Sequence, residues 1–169
     1  MDMELSNDSM EHIKSIGVEF ECLWYSYDGN FILDNPEDEG GKPFSGVAYE
    51  LYQNGNLAYY RFYQNGLSHG VYRSFYENGN LKCQQMMQYG MVFGKMECFH
   101  ENGMMKSLSN NEHSIQLSYK EWDNQGKLIA ETELKPGETH YEILLSRRED
   151  YKVFIGQFDN NSNNHKDRK

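Results

Sequence analysis

Three stretches in the middle of the chain repeat one pattern. Gly46 opens GVAYELYQNGNL, Gly70 opens GVYRSFYENGNL and Gly94 opens GKMECFHENGMM, each 24 residues after the last. A degraded fourth copy, SYKEWDNQGKL, carries Gly126 in the matching place. Weaker half-copies, RFYQNGLSHG and MMQYGMVFG, lie between them. Glycines at 55, 66, 79, 90, 103 and 126 therefore recur at spacings that alternate between 11 and 13, with one site lost near Ser114. Self-similarity at a period of this size is the signature of a stacked repeat, in which each copy buries its apolar face only against its neighbours.

The chemistry of one copy fixes its shape. Asn-Gly is a strong hairpin signal, because a two-residue type I′ turn needs positive φ at both central residues. The runs between glycines are too short for stable helices and rich in Tyr, Phe, Val and Leu, so they read as strands. Each copy is then a hairpin plus a connecting turn, and the copies together predict an all-β fold. That fold is an elongated antiparallel meander of roughly nine or ten strands. Two columns are apolar in every copy or nearly so: Leu51, Phe75, Phe99 and Trp122, then Leu57, Leu81, Met105 and Leu128. They are assigned to the buried ladder between hairpins. Tyr52, Tyr76, His100 and Asp123 form a column that drifts to polar and falls on the opposite face by alternation. Tyr49, Arg73, Glu97 and Lys120 change charge freely, which reads as a solvated or partner-specific column.

Composition narrows the function. Hydrophobic residues make up only 38% of the chain, yet 13 Tyr and 9 Phe are present, so burial must come mainly from rings. The net charge is −10, which disfavours nucleic acid and anionic membrane and favours a basic partner. Seven acids against Lys42 alone fall between Ile16 and Ser45. Cys22, Cys83 and Cys98 are odd in number and form no C-x-x-C pair, so reduced thiols are expected rather than a disulfide or a zinc site. The six histidines show no metal-ligand spacing, and His100 reads as a ring standing in for Tyr. No nucleophile elbow, P-loop or dinucleotide fingerprint occurs, so no catalytic residue, cofactor or metal is predicted and the chain is not expected to be an enzyme. The opening MDMELSNDS lacks the features of a signal peptide, and no apolar run reaches transmembrane length, so a soluble cytoplasmic protein is expected.

The ends differ from the repeats. Residues 1–15 read as a flexible or briefly helical lead-in, and 16–45 as a divergent hairpin around Asp28-Gly29-Asn30 followed by an acidic loop. The repeats run over 46–134. In the cap expected over 135–158, HYEILLSRRED places Tyr141, Leu144, Leu145 and Arg148 at helical spacing. It reads as a short helix able to cover the last hairpin's open edge, with YKVFIGQF as a final strand and 159–169 as a disordered tail.

The unit G-x-x-x-x-Φ-Y-x-N-G-x-L, with Φ apolar, resembles the MORN-variant repeat. The arrangement as a whole, with the helix-like segment after the last copy, is similar to the YwqK family of bacterial antitoxins, or immunity proteins. The likeness is good from Gly46 to Gly103, fair to Leu134 and poor before Phe44. It implies a protein that neutralises a cognate toxin by occluding its active site; a non-catalytic scaffold for protein or membrane-surface assembly is the alternative. Toxins that attack nucleic acids or nucleotides often have basic clefts, which acids could enter as phosphate mimics, so a toxin with a basic active-site cleft is the expected partner. The candidate acids are Asp34, Glu37, Asp38, Glu39 and Glu50, and the candidate anchors are Tyr49, Tyr60, Arg61, Tyr63, Tyr72 and Arg73. Tyr52, Tyr59 and Tyr76 complete an aromatic set too large to bury within a single-layer sheet.

Overall fold

A computed structural model describes residues 9–163, with side chains as far as Phe154. The chain enters as helix α1 (Met10–Ile16), followed by short strand β1 (Gly17–Glu19), a 3-10 turn (Phe20–Cys22), and strands β2 (Trp24–Tyr25) and β3 (Ile32–Leu33). A second 3-10 turn (Glu37–Glu39) leads into the meander. Its strands are β4 (Gly46–Leu51), β5 (Leu57–Gln64), β6 (Leu67–Phe75), β7 (Leu81–Gln88), β8 (Met91–Phe99), β9 (Met105–Glu112), β10 (Ile115–Trp122) and β11 (Leu128–Glu133). These pair in sequence order into a nine-stranded sheet with β1 at one edge, and β2 and β3 make a separate hairpin. The sheet is antiparallel except at its first pair, where β1 runs parallel to β4. The predicted all-β meander is the observed fold.

The reversals are of two kinds, and only one is the expected turn. Asn65-Gly66 and Tyr89-Gly90 have positive φ at both residues, as a two-residue type I′ turn requires. His113-Ser114 does the same at φ 50° and 60°, which locates the missing glycine site. At the repeat-internal Asn-Gly pairs only the glycine has positive φ. There the loop spans three residues, with Gly55 N–H donating to Tyr52 O and Tyr52 N–H donating to Asn56 O. A glycine ends it in the bulge position. The asparagines act through their amides instead. Asn54 Oδ1 accepts from Asn56 N–H, while both Asn54 and Asn56 donate to Glu77 O in the next copy. Asn78 and Asn80 repeat this toward Glu101. Beside them Tyr52 and Tyr76 donate to Phe75 O and Phe99 O, and His100 Nε2 meets Trp122 O at 2.9 Å. His100 thus occupies the place of Tyr in the ladder. In each of the first two copies, a Tyr and two Asn side chains stitch the hairpin end to the next.

The turn geometry predicts unequal costs for one substitution. Gly55 has φ +83° with nothing within 4 Å of an added Cβ, so Gly55→Ala should cost about 1 kcal/mol from backbone strain alone. Gly66 has φ +78°, and a Cβ there would lie 2.9 Å from Phe31 Cβ. Gly66→Ala should cost about 2 kcal/mol, adding the steric conflict. Urea unfolding midpoints check the ranking, and equal midpoints would refute it.

Alternation divides the sheet into two faces. On the first, direct cross-strand partners run Tyr49, Tyr60, Arg73, Gln84, Glu97, Leu108 and Lys120. Helix α1 packs here, with Ile13 fully buried against Val47, Tyr49, Leu57, Tyr60 and Val71. The lead-in is therefore a docked helix over Met10–Ile16, and residues 1–8 lie outside the described residues. The column expected to be solvated or partner-specific is buried at Tyr49 and Arg73 and opens only toward Lys120. Its sequence variation follows this gradient of cover. The reverse holds for the apolar column that ends in Leu128, which is 44% exposed.

Two further expectations are corrected. Cys83 and Cys98 form a disulfide between β7 and β8, leaving Cys22 as the exposed free thiol. They are direct cross-strand partners with Cα atoms 4.1 Å apart, a juxtaposition set by register and invisible to C-x-x-C spacing. Thiol titration of the native protein should count one reactive group, and three after denaturation and reduction. Three before reduction would remove the bond. In the unit that begins at Glu133, YKVFIGQF is no strand: helix α2 runs Thr139–Asn163, longer than the short helix expected. No proline or turn cluster separates it from the helical run, and a lone glycine at position 156 is too weak a breaker.

Candidate partner-binding surface

The N-terminal segment grips the first strands from both sides. After β1 the chain crosses the sheet edge to the second face. There Phe20, Leu23 and Phe44 pack on Ile32, Ala48 and Tyr63. This second face carries Ala48 and Glu50 from β4, Tyr59, Arg61 and Tyr63 from β5, and Ser68 and Tyr72 from β6. Phe20 stands edge-on to both Tyr25 and Tyr59, with ring centroids 6.2 Å apart in each case. Tyr59 lies 6.1 Å from Tyr72, and the Arg61 guanidinium sits 4.8 Å above the Tyr72 ring. Burial, and then the Glu50 carboxylate hydrogen-bonded to it, push the Tyr59 phenol well above its ordinary range.

Beyond this ring cluster the β2–β3 hairpin buries Ile32 and Leu33 but exposes three aromatic residues. Trp24 is 50% exposed, Tyr25 64% and Tyr27 77%. Asp28 shapes the hairpin turn by accepting from Ser26 Oγ and from Asn30 N–H and Nδ2, and these bonds hold its carboxyl below its usual value. The acidic loop is tied to the hairpin. Glu37 Oε2 accepts from Tyr27 N–H at 2.6 Å, and the Asp38 and Glu37 carboxylates lie near enough to the Tyr27 phenol to help raise its pKa after burial does. Asp34 Oδ1 accepts from Lys42 N–H at 2.7 Å, closing the loop's base. At the β1 edge, Glu19, Glu21 and Glu50 line a groove of about 370 Å³ together with Phe20, Tyr49 and Leu51.

The candidate residues named from sequence fall into three places. Asp34, Glu37, Asp38 and Glu39 share the exposed loop. Glu50, Arg61, Tyr63 and Tyr72 share the second face, although Tyr63 is 7% exposed. Tyr49, Tyr60 and Arg73 share the buried rung of the first face, where Tyr60 has no exposure at all. These three hold the sheet together and offer a partner little or no surface. Arg73 Nη1 donates to Tyr60 Oη and Arg73 Nε to Gln84 Oε1, while Gln84 Nε2 donates to Glu97. Trp24, Tyr25 and Tyr27 were not among the candidates. The run WYSY was the available signal, since three aromatics in four residues cannot all face inward from a two-residue strand.

Among the described residues no group of His, Cys, Asp and Glu could hold a metal ion, and no helix is long and apolar enough to cross a membrane. The fold and this surface define a repeat β-meander that presents rings and acids from its N-terminal end. The MORN repeat variant family matches residues 44–65 and 68–88. The chain is also 62% identical over 140 residues to the "Immunity protein YwqK" of Bacillus subtilis (strain 168), spanning 83% of this chain and 91% of that protein. The chain belongs to the YwqK family of immunity proteins built from MORN-variant repeats.

Proposed function

We propose that this chain is an immunity protein that binds a cognate toxin in the cytoplasm and neutralises it by covering its active-site cleft, without catalysis of its own. The observation that carries the reading is the exposed trio Trp24, Tyr25 and Tyr27 beside Glu37 and Asp38. Exposed rings bury large area at low rotamer cost and dominate interface energetics. The surrounding acids, on a chain of net charge −10, steer a basic cleft toward them. The name of the Bacillus subtilis relative agrees with this role.

The test is co-expression with the product of the adjacent gene as the candidate toxin, scored for growth, with affinity measured on the purified pair. Replacing Trp24, Tyr25 and Tyr27 together by Ala should weaken binding about 100-fold and abolish protection. Reversing Glu37, Asp38 and Glu39 to Lys should slow association about tenfold at low salt and flatten its salt dependence. Unchanged affinity and rate in both variants would sink the assigned surface. A chain that binds the toxin and leaves it active would favour the scaffold role.

A further inference from the structure

Under the β2–β3 hairpin lies a small pocket separate from the exposed aromatic trio's outer surface. It holds about 170 Å³ and is lined by Tyr25, Asn30 and Phe31 above, and by Arg61, Tyr63 and Ser68 on the sheet below. That is well under the volume that takes a drug-sized molecule, so the pocket suits a single functional group. Two of its walls carry donors without a protein acceptor. Arg61 Nε and Ser68 Oγ are both buried, and neither has a hydrogen-bond partner. Ser68 is 6% exposed. Buried donors of this kind are costly unless a partner meets them.

The charge is equally unbalanced. Arg61 stacks over Tyr72 and lies close enough to the Tyr63 hydroxyl to oppose the rise that burial gives its pKa, but no carboxylate pairs with it among the described residues. In a chain with 26 acids and 16 bases, an arginine left unpaired inside a pocket is unusual. Its position is fixed from several sides. Tyr63 and Ser68 are direct cross-strand partners, and Arg61 is the partner of Tyr72 on the same two strands. Arg61 and Ser68 therefore share one face and line one pocket.

We propose that this pocket is a carboxylate-binding site, with the Arg61 guanidinium and the Ser68 hydroxyl as the donors. The guanidinium edge matches a planar carboxylate, and its single positive charge balances a monoanion. A phosphate dianion would carry surplus negative charge into an acidic protein. The same chemistry comes from two sources: a free small carboxylic acid, or an Asp or Glu side chain offered by another protein. Tyr25 borders both the pocket and the exposed surface, but neither donor belongs to the exposed trio, so the site stands whatever the fate of the proposed function.

The test follows the Arg61 Nε–H resonance by NMR in the full-length protein at pH 7.5 and constant ionic strength. Acetate, inorganic phosphate, chloride and a blocked peptide, acetyl-Ala-Glu-Ala-amide, are titrated in turn. Acetate should shift the resonance saturably, and at least threefold more tightly than phosphate, while chloride gives no saturation. Ser68→Ala should weaken acetate at least threefold, and Arg61→Gln should abolish saturable shifts of neighbouring amides. Should Arg61→Gln fail to fold, the Ser68→Ala comparison decides alone. Peptide binding at least as tight as acetate assigns the site to a protein side chain. Acetate binding without peptide binding assigns it to a free acid. An unresponsive Arg61 resonance, phosphate binding tighter than acetate, or a Ser68→Ala protein that binds acetate normally would overturn the assignment.

Discussion

Tyr60→Ala should destabilise the sheet by about 4 kcal/mol, and Tyr60→Phe by only about 1 kcal/mol. Tyr60 has no exposed surface and is packed by Phe62 edge-on and by Phe75 stacked at 6.2 Å, with Ile13 and Val71 in the same cluster. Truncation removes those contacts and leaves a cavity that close-packed strands cannot collapse into. The phenylalanine variant keeps the ring and withdraws only the hydroxyl that accepts from Arg73 Nη1. The far end of the same rung supplies the contrast. There Lys120 pairs with Glu131 at 2.9 Å, with the two side chains 47% and 53% exposed. Water and side-chain entropy reduce that pair to about 0.5 kcal/mol, so Lys120→Ala should be barely visible. Chemical unfolding of the three variants checks the order. Equal losses for Tyr60→Ala and Tyr60→Phe would mean that the hydroxyl network, not ring packing, holds the rung.

That gradient along one rung explains what could be read in advance. The meander was legible because its signal is local: glycine spacing and Asn-Gly pairs mark the reversals, and alternation fills the strands. The burial of the Tyr49, Arg73, Glu97 and Lys120 column was not legible. It depends on α1 folding over the first strands, and nothing in the repeat announces that cover. Burial along those positions falls from Tyr49, packed in the cluster with Ile13 of α1, to the open Lys120. The disulfide was hidden for a similar reason. Cys83 and Cys98 become neighbours only through the register of β7 on β8, which an intervening irregularity between Gln85 and Met86 shifts. The acidic loop was visible as a charge run, but its attachment to Tyr27 was not, because Glu37 reaches ten residues back to a backbone N–H. For the candidate surface, alternation could have separated Tyr60 from Arg61 and Tyr72 from Arg73. It could not say which face stays open. The aromatic trio on β2–β3 and the turn after it lies outside the repeats, where the family pattern gives no guide.

Ile13→Ala should cost about 3 kcal/mol, a large effect for a residue in a segment that sequence alone marks as a flexible or briefly helical lead-in. Ile13 is fully buried, and its helix is held by a Ser9 cap on His12 N–H and by a bond from Lys14 Nζ to Gly55 O. The helix runs directly into β1, which pairs with β4 through Gly17, Val18 and Glu19. The same chain then supplies Phe20 and Leu23 to the second face and continues into the Trp24–Tyr25 strand. Loosening Ile13 therefore acts on both faces at once. Hydrogen exchange should show it first at the β1–β4 amides, with β7 through β9 protected as before, because these strands keep their own partners. Under the proposed function, toxin binding should weaken about tenfold although none of the proposed surface residues has changed, since the hairpin's position would have to be re-formed on binding. A second variant, Ile13→Val, keeps most of the buried volume and should cost about 1 kcal/mol with near-normal binding. If Ile13→Ala leaves exchange at β1 and β4 unchanged, α1 is an ornament on the sheet, and the burial gradient along the first face has another origin.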